Sequence, residues 1–232
     1  MLAPRRPPLR LGPRAGRAVA ARASAASPTP LAAAADALRA AAAAVPDAGI
    51  YGSTTPLRAA VVEAVEAAEA ATPPGAAPTA ALADLDGVWR VLYSTVSITG
   101  SKRVRLGLKS AVHVREVTQT LDAATATAVN EVRFVLTFLG SRPGSLRLDA
   151  TFAPASPTRV SIELSTAKLH PPQLDALLAS HMELLLSIFN PQGWLDTTFV
   201  GGGVRVGRDD KGNIFILERV AEAERESAAA AA

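Results

Sequence analysis

The sequence predicts a mainly β fold: an antiparallel barrel of about eight strands, with helices before it and one helix inserted before the C-terminal hairpin. Three observations support this prediction. From residue 87 onward apolar residues recur with a period of two, which is typical of strands. Turn signals rich in proline and glycine separate neighbouring runs by short distances, as in an antiparallel meander. About eight such strands close most favourably into a barrel, because closure leaves no unpaired edge.

The amino terminus has the composition of a targeting segment. The first 22 residues contain six arginines, no acidic residue and no long apolar stretch. We therefore expect residues 1–26 to be an organellar transit peptide; a disordered basic tail that binds nucleic acid or anionic lipid is the alternative. Without these arginines, 18 basic residues remain against 21 acidic ones. The rest of the chain thus has no basic excess that would attract a nucleic-acid backbone.

Two helices are predicted ahead of the barrel, within residues 27–83. The first runs from Leu31 to Val45 and is almost entirely alanine, and the second begins at Thr55 and ends by Thr72. A helical hairpin packed across the open end or the side of the barrel is favoured over a free arm that binds a partner. The other predicted boundaries are a linker over 76–83, the barrel domain over 84–222 and a disordered tail over 223–232.

The strands are predicted from rows of apolar residues that share a face. The four clearest rows are Trp89, Val91, Tyr93 and Thr95; Val132, Phe134, Leu136 and Phe138; Leu146, Leu148, Ala150 and Phe152; and Val160, Ile162 and Leu164. A further strand is predicted over Val112–Leu121, and the last ones form a hairpin within Gly193–Arg219. Its turn, from Asp209 to Gly212, suits a type I turn closed by a glycine in the left-handed region.

The aromatic residues of these strands are the candidate lining of a cavity for hydrophobic molecules. Alternation does not tell which rows face inward, so each residue could equally be packed core. The candidates are Trp89, Tyr93, Phe134, Phe138, Phe152 and Phe215.

The helix predicted over Pro172–Phe189 has an apolar stripe wider than one packed face requires. Two interpretations remain open: an ordinary core helix, and a lid over the barrel mouth or an element that dips into a lipid surface. The residues assigned to the lid or surface role are Leu177, Leu184, Leu185 and Ile188.

The sequence offers little reactive chemistry. Cysteine is absent, and the three histidines are not spaced as metal ligands. The glycines at 201–203 lack the Lys-Ser or Lys-Thr of a phosphate loop, so we expect them to permit a bulge or a close backbone approach. We therefore expect no enzymatic activity, no metal site and no cofactor.

Two motifs resemble those of the plastid lipid-associated proteins, also called fibrillins or plastoglobulins. The stretch LDGVWRVLYST, Leu85–Thr95, is similar to the family's opening strand, and GWLDTTF with VRVGRDDKGNIFIL, within Gly193–Leu217, is similar to its C-terminal segment. One departure is that the glycines at 201–203 stand where the family usually has an acidic cluster. The motif residues to which the resemblance gives a structural role are Gly87, Trp89, Gly193, Trp194, Asp196, Arg205, Asp209, Lys211, Gly212 and Asn213.

The opening motif also resembles the first strand of the lipocalins. In the lipocalin pattern a late arginine packs over the tryptophan that follows the glycine, and either Arg205 or Arg219 could do so over Trp89. This resemblance implies a lipocalin-like barrel.

The family resemblance implies a non-catalytic chloroplast protein that binds prenyl quinones, carotenoids or acyl lipids at plastoglobules or thylakoids. It would make residues 1–26 a chloroplast transit peptide. Two alternatives stay open: a structural coat protein of plastid lipid bodies without an enclosed ligand, and an accessory partner of a prenyl-lipid biosynthetic enzyme.

Overall fold

The computed structural model describes residues 29–76, 82–97, 110–174 and 192–224. Its helices are α1 (Pro30–Ala43), α2 (Thr55–Ala71) and the short α3 (Leu82–Leu85), with 3-10 turns at Pro46–Gly49 and Thr137–Leu139. Its strands are β1 (Gly87–Ser94), β2 (Val112–Asp122), β3 (Thr127–Leu136), β4 (Arg142–Pro154), β5 (Arg159–His170), β6 (Gly193–Gly201), β7 (Val204–Asp209) and β8 (Ile214–Arg219).

The strands form a closed antiparallel barrel in which each strand pairs with the next and β8 pairs with β1. The predicted fold class is therefore confirmed. The predicted C-terminal hairpin contains one more turn than expected, because Gly202 and Gly203 have φ angles of 54° and 75° and turn the chain between β6 and β7. Positive φ at both central residues is typical of a two-residue hairpin turn.

The helical hairpin of α1 and α2 packs on the outer side of the barrel over β6, β7, β8 and part of β1. Its contact layer contains Leu38 and Val61 from the helices and Phe199, Val206 and Ile216 from the strands, all of which are fully buried. Two ion pairs flank this layer: Arg39 of α1 with Glu218 of β8 at 2.6 Å, and Glu69 of α2 with Arg208 of β7 at 2.7 Å. The prediction of a helical hairpin packed on the barrel is confirmed, and the side of the barrel is where it lies.

The glycines of the β6–β7 turn allow this helix packing. A Cβ on Gly202 would lie 2.8 Å from the Cβ of Ala35, and one on Gly201 would lie 2.9 Å from the Cβ of Leu31. Arg39 also donates a 2.6 Å hydrogen bond to the carbonyl oxygen of Gly202. The close backbone approach expected for these glycines is thus an approach of α1 to the turn.

The barrel wall opens at two places where neighbouring strands pair over only part of their length. β1 pairs with β2 over Gly87–Arg90, and β5 pairs with β6 over Arg159–Ile162. The first gap is filled by the segment after α1. Tyr51 donates its hydroxyl proton to the carbonyl oxygen of Val112 at 2.5 Å and accepts from the amide of Val114 at 3.3 Å.

Several predictions fall outside the described residues. These are the transit peptide over 1–26, nearly all of the helix over 172–189 with its lid residues Leu177, Leu184, Leu185 and Ile188, and most of the tail over 223–232. Among the helices that the structure describes, none has the length and apolar character needed to cross a membrane.

Candidate functional site

The barrel encloses a cavity of about 130 Å³. A single buried water needs roughly 10–15 Å³ by this measure, so this part of the interior is open, whereas the cluster around Phe134, Leu136 and Leu146 fills another part. Apolar residues from six different strands form the walls together with Trp194. These apolar residues are Val91, Val117, Val132, Ile162, Leu195, Phe215 and Leu217.

The walls are apolar because the strand alternation places one set of residues inside. Val117 lies opposite Val132, and Val91 opposite Leu217, so these pairs share the inner face of the sheet. Phe215 follows on the same face of β8 as Leu217. A ligand that enters this space therefore meets hydrocarbon on most sides.

The cavity mouth lies at the β7–β8 turn and is ringed by residues from several loops. Asp209, Asp210 and Lys211 border it on one side, and Ile50 and Val96 border it on the other. This end of the cavity thus combines charged and apolar side chains.

The floor of the cavity is polar. The side-chain amide nitrogen of Gln119 donates to the side-chain oxygen of Asn130 at 3.0 Å. The side-chain oxygen of Gln119 accepts a hydrogen bond from Arg205 at 2.5 Å. Gln119, Ile162 and Leu195 also border a second cavity of about 20 Å³, which Arg205 lines as well. The second cavity is thus a continuation of the first toward the closed end of the barrel.

Arg205 is a buried cation at this closed end. Its side chain is 2 % exposed, and its Nε–H has no hydrogen-bond partner. Among the described residues, no carboxylate pairs with it. Burial, with a smaller contribution from the nearby charge of Arg219, lowers the pKa of Arg205 to about 9. The guanidinium therefore stays protonated at neutral pH although no carboxylate of the described residues balances it.

The end of the barrel is closed by a stack around Trp89. The guanidinium carbons of Arg205 and Arg219 lie 4.7 and 4.4 Å from its ring centroid. The indole N–H donates to the carbonyl oxygen of Leu85 in α3 at 2.8 Å. Both arginines proposed for the lipocalin-like contact thus make it, each by a cation–π interaction.

A family model supplies the decisive comparison, because PAP_fibrillin matches residues 43–218, which is more than half of the chain. The chain belongs to the PAP_fibrillin family. This confirms the resemblance seen in the sequence, and the matched span runs from the end of α1 to β8.

Several curated plant proteins are similar to this chain. The chromoplast-specific carotenoid-associated protein C1 of an Oncidium hybrid is 27 % identical over 203 residues, covering 71 % of this chain and 62 % of its own length. The light-induced chloroplastic protein of Solanum tuberosum is 29 % identical, with 69 % and 59 % covered. The probable plastid-lipid-associated protein 2 of Arabidopsis thaliana is 28 % identical, with 62 % and 57 % covered. The chain spans about three fifths of the length of these relatives.

The first PAP_fibrillin motif builds the closed end of the barrel. Gly87 has a φ of 110°, and a Cβ there would lie 3.1 Å from the guanidinium nitrogen of Arg219. Arg219 uses this space to donate to the carbonyl oxygens of Asp84 and Asp86 while it covers Trp89. The glycine and the tryptophan of the motif are therefore needed together.

The C-terminal PAP_fibrillin motif shapes the cavity mouth. The carboxylate of Asp209 accepts from the backbone amides of Lys211 and Asn213 at 2.9 and 2.7 Å, and from the side chain of Asn213 at 2.7 Å. Gly212 has a φ of 74°, as expected for the glycine that closes this turn. A Cβ on Gly193 would lie 3.0 Å from the carboxylate of Asp210.

Trp194 and Asp196 of β6 contact Arg159 of β5, and Trp194 also borders the main cavity. Arg159 donates two hydrogen bonds to Asp196, at 2.8 and 2.7 Å, and stacks 3.6 Å from the centroid of the Trp194 ring. This arrangement fixes the short pairing between β5 and β6. Asp196 thus has a structural partner in the guanidinium of Arg159.

The six aromatic residues expected to line the cavity have different environments. Phe215 lies in the wall of the main cavity, and Phe152 borders the smaller one. Phe134 packs in an apolar cluster with Leu136 and Leu146, and Trp89 lies beneath the two arginines.

Tyr93 and Phe138 do not face the interior, contrary to the predicted rows. A β-bulge between Val91 and Tyr93 reverses the alternation, so Tyr93 packs outside the barrel against the helices. β3 ends at Leu136, and Phe138 lies in the following 3-10 turn, where it is 54 % exposed.

Sequence reasoning missed the polar floor formed by Gln119 and Asn130. A signal for both residues was present. Gln119 lies between Val117 and Leu121 on one face of β2, and Asn130 lies between Ala128 and Val132 on β3, so each interrupts an apolar row. In the described part of the chain, His, Asp and Glu side chains form no group that could hold a metal ion.

Proposed function

We propose that this chain is a plastid lipid-associated protein that binds one hydrophobic small molecule inside its barrel. The observation that carries the proposal is the 130 Å³ cavity with apolar walls and an opening at the β7–β8 turn. An eight-stranded barrel of this kind has room for one small ligand. The cavity suits a compact molecule or one end of a long one.

The names of the relatives support the choice of ligand and compartment. They are called carotenoid-associated or plastid-lipid-associated, and chromoplastic or chloroplastic. We therefore propose a plastid location, at plastoglobules or thylakoids, and a ligand among prenyl quinones, carotenoids and acyl lipids. The walls offer hydrocarbon contact and no reactive group, which supports binding without catalysis.

The first test is to identify what the protein carries. The protein is purified from its native plastid and extracted into organic solvent, and co-purified lipids are quantified by mass spectrometry. We expect one class of hydrophobic molecule at close to one per chain. An empty protein, or a mixture that mirrors bulk plastid lipid, would contradict an enclosed site and favour a structural coat or an enzyme partner.

A matched pair of variants sharpens this test. Val91→Phe fills the cavity from β1, whereas Val135→Phe adds the same volume on the outer face of β3, where Val135 pairs with His113 and Pro143. We expect the first variant to lose the co-purified lipid and the second to retain it. Equal lipid content in the two folded variants would place the ligand outside the barrel.

A further inference from the structure

We infer that the ligand of the barrel ends in a carboxylate, which enters first and binds Arg205 at the closed end. This inference rests on the proposed function, because it names the chemical class of the molecule held in that cavity. The starting point is the positive charge of Arg205, which has no carboxylate partner among the described residues.

A buried cation normally has a carboxylate partner, because an unpaired charge is costly to remove from water. Elsewhere in the protein this rule is followed: Arg208 pairs with Glu69, Arg39 with Glu218, and Arg159 with Asp196. Arg205 is more deeply buried than any of these three, yet in the described chain its hydrogen-bond partner is the neutral side chain of Gln119. Its Nε–H is unsatisfied.

The side chain of Arg205 borders a space that continues from the main cavity. Arg205 borders the smaller cavity, and Gln119 borders both cavities, so Gln119 separates the guanidinium from the main space. A carboxylate that passes Gln119 can bond to the free Nε–H or replace the amide oxygen as acceptor. Gln119 remains held by Asn130 in either case.

The size of the smaller cavity selects among anions. About 20 Å³ holds one or two waters by the same measure, which suits a carboxylate and excludes a sugar-phosphate head group. The apolar walls above it suit a hydrocarbon chain or ring. A free fatty acid and an isoprenoid acid share this chemistry.

The test compares three probes of known structure by isothermal titration calorimetry at pH 7.5: dodecanoic acid, dodecanol and all-trans-retinoic acid. Charge-assisted hydrogen bonds are strong enough that we expect dodecanoate to bind about 10- to 100-fold more tightly than dodecanol. If retinoic acid binds more tightly than dodecanoic acid, the ligand is an isoprenoid acid; if less tightly, it is an acyl chain. The comparison of dodecanoic acid with dodecanol tests the carboxylate site itself.

Two variants locate the preference. Arg205→Gln should lose the preference for the acid and keep the affinity for dodecanol. Gln119→Glu places a carboxylate of nearly the same shape against Arg205, so it should weaken dodecanoate alone. Arg133→Gln removes a cation from the outer face of β3 and should change neither affinity.

A fluorescence measurement reports the position of the head group. The chain contains two tryptophans, so in Trp194→Phe the signal comes from Trp89 alone, whose ring contacts Arg205. Dodecanoate should change this emission more than dodecanol does.

The outcomes separate this inference from the proposed function. If the wild-type protein binds acid and alcohol equally, or if the preference survives both Arg205→Gln and Gln119→Glu, the carboxylate site is wrong although the cavity binds lipid. If none of the three probes binds, the carboxylate site is wrong, and the lipid extraction described above decides the proposed function separately. Should Arg205→Gln not fold, Gln119→Glu decides the question.

Discussion

Two arginines on β7 show how differently the outer and inner faces of the barrel are used. Arg208 faces outward and donates to both carboxylate oxygens of Glu69, at 2.7 and 2.9 Å, which raises its pKa. Arg205, three residues earlier, faces inward without a carboxylate partner in the described chain, and burial lowers its pKa to about 9. The outer face has matched charges and dense packing, whereas the inner face has an unmatched charge beside empty space. On β7 the outer face thus contributes packing and a paired charge, and the inner face borders space that a ligand can occupy.

The largest expected effect comes from the packed outer layer. Phe199→Ala removes a fully buried ring between the helices and the barrel and should lower the free energy of unfolding by about 3–5 kcal/mol. Denaturant unfolding followed by circular dichroism measures this. Phe138→Ala is the control, because that ring is 54 % exposed and its loss should cost less than about 0.5 kcal/mol. A small loss for Phe199→Ala would contradict the dense packing of the outer layer.

Added volume should distinguish the two faces directly. Val206→Phe crowds the fully buried outer layer and should cost about 1–3 kcal/mol of unfolding free energy. Val91→Phe adds the same atoms beside the cavity, so its cost should be below about 1 kcal/mol. The same denaturation experiment compares them, and equal losses would mean that the cavity does not accept the ring.

The ion pair between Glu69 and Arg208 should contribute less to the free energy of unfolding than the packed outer layer does. Glu69→Gln leaves the partly buried Arg208 without its carboxylate and should cost about 1–2 kcal/mol, between the values for exposed and buried pairs. A double-mutant cycle with Arg208→Gln isolates the pair energy. The exposed Glu63 on the same helix is the control, and Glu63→Gln should leave stability unchanged. If the double-mutant cycle shows no coupling energy, the Glu69–Arg208 pair does not contribute to the free energy of unfolding.

The smallest expected effect is a dependence on acid pH. Burial alone would raise the pKa of Glu69 and of Glu218, but hydrogen bonds from Arg208 to Glu69 and from Arg39 and Arg90 to Glu218 lower both below the ordinary 4.5. Groups with a lowered folded-state pKa stabilise the fold above 4.5, and this contribution is lost as the pH falls through the folded-state value. Thermal unfolding between pH 6 and pH 3 should show this loss, and Glu69→Gln should weaken it. An identical pH profile for the variant would contradict the assignment.

The alternation of apolar residues was enough to predict the barrel but not which residues lie inside it. Both faces of β8 are apolar, because the helices cover its outer face and its inner face borders the cavity. Alternation therefore does not tell which face of this strand lies inside. Tyr93 shows how one bulge changes the result, because every residue after it moves to the opposite face. The helical hairpin and the turn at Gly212 were predictable because each depends on local sequence.

The site was less predictable than the fold because its polar members come from distant strands. Gln119, Asn130 and Arg205 meet only because β2, β3 and β7 contribute to the same end of the barrel. Arg205 was singled out in the sequence because the lipocalin pattern has a late arginine that packs over the tryptophan of the opening motif. Within residues 29–76, 82–97, 110–174 and 192–224 no carboxylate pairs with it, and this property of the assembled barrel has no local signature in the sequence.

Tyr51 has a consequence for any attempt to divide this protein. Its hydroxyl bonds to Val112 and Val114 where β2 has lost β1 as a neighbour, and burial raises its pKa, so it keeps the proton that it donates. Gly49 supports this contact, since a Cβ there would lie 2.5 Å from the carbonyl oxygen of Ser94. A fragment that began at β1 would expose these amide and carbonyl groups to solvent and to other copies of itself, and would tend to self-associate. The shortest soluble version of the barrel should therefore begin before α1.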